Sequence, residues 1–224
     1  TELVSGFLEN LIESYKENQV KDLTLGLIYG YESPKHHIQL CDGQQRVTTL
    51  FLILGIVNRK TENHFQNKLI SIEELNNDRN PYLQYAIRES TLYFLSDLVC
   101  EYFLKLENQI SFSMIENSPW FFSDYNLDSS IKSMLSAIVT IEDIFNKFIE
   151  IDFMQFGNFI LNKLQMLYYD MDNRTQGEET FVIINTTGEP LSATENLKPV
   201  IIGNIVKEEE RKKSSDEWEE REEW

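Results

Sequence analysis

A chain of 224 residues is long enough to bury a sizeable core, and its formal net charge of −17 repels DNA phosphates over a Debye length of about 8 Å at physiological salt, which disfavours non-specific duplex binding by this chain alone but leaves room for a local basic pocket. With 42% hydrophobic and 25% charged residues the composition is that of a globular protein, not of a disordered one. No apolar run reaches the roughly 20 residues that a membrane span needs, and no signal-peptide pattern opens the sequence.

Val4, Phe7, Leu8, Leu11, Ile12 and Tyr15 recur at helical spacing and predict an amphipathic helix over residues 2–18. The helical character begins at Thr1 with no Met, as in a trimmed or partial chain. Leu23 to Tyr31 is rich in β-formers, interrupted by Gly26 and Gly30, and reads as a strand. Glu32-Ser33-Pro34-Lys35 is a turn, and Ile38 to Cys41 a second strand that would pair as a hairpin. A helix follows from Asp42 through Val57. In the middle, Tyr82 to Phe103 carries a broad apolar stripe, Ser118-Pro119-Trp120 breaks the pattern, and residues 131–149 and 153–161 predict two more helices. Leu164 to Met171 returns to β character, and Gly177 to Ile184 reads as a helix. Ser192-Ala193-Thr194-Glu195 is an S-x-x-E capping box opening another helix, which Pro199 should bend or end. The mixed charges of Glu208 to Trp224 read as a solvated helix that Trp218 and Trp224 anchor.

This order predicts an α+β fold with few strands and a large helical portion. Residues 1–60 and 164–206 are expected to form the α/β core, 61–163 a helical insert, and 207–224 an acidic C-terminal helix. The apolar helical middle is also a surface on which a homodimer would form. Cys41 and Cys100 sit in apolar segments, which argues against a disulfide framework and fits a reducing cytoplasm. His36, His37 and His64 have no metal-ligand spacing with one another or with cysteine.

The segment richest in chemistry is Asp42-Gly43-Gln44-Gln45-Arg46, at a strand-to-helix junction. Asp42 can cap the first turn, with Gln45 completing a D-x-x-Q box. Gly43 allows a ligand close to the backbone. The open N–H groups and dipole of a helix start favour an anion, which Arg46 is placed to reach, and Gln44, Gln45, Thr48 and Thr49 add polar groups. The same residues equally describe a plain capping box with a surface ion pair. No Walker A spacing, catalytic Ser/His/Asp set or Cys/His pair stands elsewhere.

The run Asp42-Gly43-Gln44-Gln45-Arg46-Val47-Thr48-Thr49-Leu50 resembles the DGQQR-[LV]-TTL signature of a bacterial family. That family supplies the N-terminal domain of GmrSD-type modification-dependent restriction enzymes, and similar domains occur in phosphorothioate-sensing defence proteins. A second stretch, Phe181 to Ser192 followed by Glu195-Asn196-Leu197-Lys198, resembles the family's F-x-x-[IL]-N-x-x-G-x-x-L-[ST] pattern and the D/E-x-L-K helix after it. The resemblance covers nearly the whole chain and is weakest in the helical middle.

The resemblance implies a small mixed sheet similar to that of ParB and sulfiredoxin. It also implies NTP binding and hydrolysis with Mg²⁺, in a cytoplasmic anti-phage or restriction protein. Asp42 would position the metal or the attacking water, and Gln44 and Gln45 would orient ligand or water. Gly43, Arg46 and Thr48 would bind the nucleotide, and Asn185 and Gly188 would turn beside the same pocket. That second motif is also readable as an ordinary turn. The family's upstream segment, resembling I-P-x-[YF]-Q-R-x-Y-x-W, is absent from the given sequence, as is the His-Asn-His pattern of its nuclease domain. Nuclease activity is therefore not expected of this chain, and DNA would be reached only through the parent protein or a partner nuclease. The alternative is a non-catalytic module that recognises modified DNA or a partner protein.

Overall fold

The computed structural model describes residues 2–17, 22–71, 80–85, 88–106, 112–148 and 150–171. Among them are five α-helices and one three-stranded mixed sheet, an α+β fold. Helix α1 (Glu2–Glu17) buries Leu8, Leu11, Ile12 and Tyr15, the stripe its periodicity dictates. Strand β1 (Leu23–Glu32) turns at the cis Ser33–Pro34 peptide into β2 (Ile38–Asp42). Helix α2 (Gln44–Lys60) follows, with Phe51 to Asn58 buried continuously. A helix apolar on all sides belongs in the middle of a protein, and α2 packs against both α4 (Ser129–Lys147) and α5 (Phe153–Lys163). Strand β3 (Leu164–Asp170) follows α5 directly.

The sheet order is β2–β1–β3, with β1 antiparallel to β2 and parallel to β3. Both ladders slip once. Between Thr24 and Leu27, β1 advances three residues while β3 advances two, from Gln165 to Leu167. The surplus falls at Gly26, whose φ of +95° lies in the left-handed region. On the other side, Tyr29 and Gly30 face Asp42 and Leu40, so the surplus residue of β2 is Cys41.

One buried cluster joins α1, α2, α4 and α5 with helix α3 (Glu89–Asp97) and the π-helical turn Leu98–Phe103 that extends it. Tyr15 of α1 meets Phe156 and Phe159 of α5 edge-on, with ring centroids 5.3 and 5.7 Å apart. The apolar stripe predicts a helix from Tyr82, but α3 starts at Glu89. Pro81 is instead held in a bridge with Ile70, and the Tyr82 N–H bonds the Leu69 carbonyl at 2.9 Å, which keeps this stretch out of the helix. The helices expected over 177–184 and after Ser192, and the C-terminal helix, lie outside the described residues. No described helix is long and apolar enough to cross a membrane.

Candidate functional site

The junction of β2 and α2 is built around Gly43. Its φ is +84°, and a Cβ there would stand 2.4 Å from Cγ2 of Ile28, so conformation and packing both demand glycine. Gly43, not Asp42, occupies the cap position of α2, and no side chain among the described residues caps the helix. The expected D-x-x-Q box therefore does not form. The reason lies in β2, which runs through Asp42 and holds it opposite Tyr29. The chain then turns through the left-handed glycine, and Asp42 has left the position from which a carboxylate reaches the first-turn N–H groups.

The first helical bond runs from the Val47 N–H to the Gly43 carbonyl at 3.0 Å. The N–H groups of Gln44, Gln45 and Arg46 precede it and have no acceptor within the helix. Gln44 Nε2 donates to the Leu40 carbonyl at 2.8 Å. Gln45 is exposed, and its side-chain amide makes no hydrogen bond among the described residues.

Arg46 points back to the sheet. Its Nη1 donates to the Leu25 carbonyl at 2.8 Å and its Nη2 to the Leu27 carbonyl at 2.6 Å. Nη2 also lies 3.4 Å from Asp42 Oδ2, in an ion pair whose side chains are 33% and 50% exposed. Among the described residues, strand β2 pairs with Tyr29 to Glu32, and no strand pairs with the first half of β1 on that side. The guanidinium supplies donors where the ladder stops, on either side of the Gly26 bulge. A Cβ at Gly26 would stand 2.8 Å from Nη1, so the glycine also makes room for the arginine. Hydrogen bonds from a charged donor are worth about 1.5–3 kcal/mol each, which makes Arg46 a tie between α2 and β1.

The two threonines diverge. Thr48 is buried, and its hydroxyl shares a 2.9 Å hydrogen bond with the hydroxyl of Tyr85. Thr49 donates to the Gln45 carbonyl at 2.8 Å. The structure thus gathers Asp42, Gly43, Gln44, Gln45 and Arg46 at one helix start and turns Thr48 toward the core. Asn185 and Gly188 lie outside the described residues. Among the described residues no group of three or more His, Cys, Asp or Glu is placed to hold a metal ion. Sequence reasoning missed the Leu25 and Leu27 carbonyls, which carry no side-chain signature. Gly26, an interruption in a β-rich run, is the one signal that marked a bulge there.

Residues 4–202 match the family model of the GmrSD restriction endonuclease N-terminal domain. The chain belongs to this family. The matched span contains both the Asp42–Leu50 run and the Phe181–Lys198 stretch. No curated protein and no solved structure matches the chain. As a GmrSD N-terminal domain, it is a module of the DNA restriction and defence class.

Proposed function

We propose that this GmrSD N-terminal domain is a nucleotide-binding sensor of a bacterial restriction or anti-phage protein, holding NTP phosphates at the start of α2. The observation that carries the reading is the uncapped helix start on Gly43, with Gln45 exposed beside it. Three N–H groups and the positive end of the helix dipole are open there to an anion. The Arg46 guanidinium, bonded to the Leu25 and Leu27 carbonyls, adds positive potential at the same helix start. Gln45 donates to phosphate oxygens. Thr48 acts from the core side, steadying α2 through Tyr85.

Mg²⁺ usually takes one or two carboxylates together with phosphate oxygens and water. Asp42, the one acid of the motif and half-exposed, fits that requirement as the single protein ligand. The ion would neutralise charge on the phosphates, the main need in phosphoryl transfer. Gln44 and Gln45 orient the attacking water in hydrolysis. DNA is reached through another domain or a partner nuclease, in keeping with the net charge of −17.

A second reading, a non-catalytic module for modified DNA or a partner protein, draws on one observation. The guanidinium of Arg46 is committed to the carbonyls of Leu25 and Leu27. Calorimetric titration with Mg·ATP and Mg·GTP separates the two readings. The nucleotide reading expects saturable binding that Gln45→Ala weakens at least about tenfold, the equivalent of 1.4 kcal/mol, with an unchanged melting temperature. Absence of binding at millimolar nucleotide, or affinity untouched in both Gln44→Ala and Gln45→Ala, would leave the non-catalytic reading standing.

A further inference from the structure

Between α3 and the 3₁₀ turn Ser123–Leu127 runs a cleft of about 490 Å³. Glu89, Tyr93 and Asp97 line it from the helix, and Phe122, Asp124 and Tyr125 from the turn. The three helix residues are spaced four apart and form one stripe, while Thr91, Phe94 and Leu95 occupy the buried face. Tyr93 and Phe122 are 56% and 59% exposed, which is unusual for aromatic rings beside a packed core.

The walls are fixed. Tyr125 is buried, donates its hydroxyl to Asp97 Oδ2 at 2.8 Å, and packs edge-on against Phe94 and Phe122 at 5.4 and 5.5 Å. The neighbouring cation, Arg88, donates to Ser130 Oγ at 2.6 Å and lies 3.7 Å from Asp128. It is paired with Asp128, and with Asp124 it lines an adjoining depression.

Aromatic faces attract a guanidinium or ammonium group, carboxylates bond it, and its aliphatic stem covers ring surface. From this arrangement we infer that the cleft docks a basic segment of a partner protein, seated by an arginine or lysine with apolar neighbours. Charge decides among the occupants. DNA phosphates would face Glu89 and Asp124, and a second copy of the chain would bring its own net charge of −17. A basic apolar segment complements both the rings and the carboxylates. The docking site uses no residue of the α2 junction and stands whether or not nucleotide binds there.

The test uses a labelled, capped hexapeptide of alternating arginine and leucine, its glutamine-for-arginine counterpart, and a short labelled DNA duplex. Each is titrated with the full chain and followed by fluorescence anisotropy. The arginine peptide binds, and its affinity falls at least about tenfold in Glu89→Gln/Asp124→Asn and separately in Tyr93→Ala. Thermal melts confirm that these variants of exposed positions stay folded, and Phe122→Ala gives an independent readout on the opposite wall. Four results would overturn the inference: arginine-peptide binding unchanged in all the variants, equal binding of the glutamine peptide, no binding up to millimolar chain, or preferential binding of DNA. Self-association of the chain, abolished by the same substitutions, would assign the cleft to a second copy and overturn it too.

Discussion

Two helices of this domain follow a D-x-x-Q sequence, and they begin differently. Before α5, Asp152 sits in extended backbone at the cap position, accepts the Gln155 N–H at 3.0 Å, and its other oxygen accepts Gln155 Nε2 at 3.0 Å. Before α2, Asp42 belongs to a strand, Gly43 takes the cap position with a positive φ, and Gln45 stays exposed. The same four-residue pattern is closed in one place and open in the other. Its chemistry is decided by whether the aspartate has finished its strand before the helix starts. A third helix start shows how far an aspartate can be absorbed into structure. Asp128 caps α4 through the Ser130 N–H at 2.7 Å and accepts the hydroxyls of Ser90 and Thr91, also at 2.7 Å.

The largest expected effect separates a structural arginine from a purely ligand-binding one. Arg46→Ala leaves the Leu25 and Leu27 carbonyls without their donors and should cost about 3 kcal/mol in urea unfolding. Arg46→Lys should recover only part of this, because an ammonium lacks the planar fork that spans two carbonyls. A loss under about 0.5 kcal/mol would show that the tie is not formed in solution.

Asp128 gives a pH signature of its own. Burial works to raise its carboxyl pKa, but hydrogen bonds from Thr91, Ser90 and the N–H groups of Ser130 and Ile131 outweigh it and hold the pKa at about 2. A depressed pKa contributes stability that is present above the unfolded value of 3.8 and is lost as pH falls toward 2. About 2 kcal/mol should disappear across that window, and Asp128→Asn should flatten that part of the pH–stability curve.

The paired aspartates test the comparison itself. Asp152→Ala removes a cap and should destabilise by about 1 kcal/mol. Asp42→Ala removes a half-exposed ion pair and should cost about 0.5 kcal/mol or less. Equal losses would mean that Asp42 caps α2 after all. The smallest effect on stability is expected from Gln45→Ala, within about 0.5 kcal/mol by chemical denaturation, because the side chain is exposed and its amide makes no hydrogen bond among the described residues.

Much of this architecture was legible because it rests on side-chain periodicity. The stripe from Val4 to Tyr15 marks α1, and the β-formers from Leu23 and from Leu164 mark β1 and β3. What was not legible rests on backbone partners and on distant pairing. The start of α3 depends on Ile70 meeting Pro81, which no local pattern encodes. The Asp152–Gln155 cap was as readable as the Asp42–Gln45 pattern, yet only the strand register distinguishes them. Arg46 looked like an anion ligand because its carbonyl partners on β1, about twenty residues upstream, leave no trace in side-chain chemistry beyond Gly26.

Backbone amide chemical shifts of the labelled domain, followed as Mg·ATP is added, test the central claim most directly. If the open start of α2 holds phosphates, the amides of Gln44, Gln45 and Arg46 shift together and saturate, while that of Gln155 in the closed start of α5 stays in place. Saturable shifts confined to other residues, or none at millimolar nucleotide, would contradict the account.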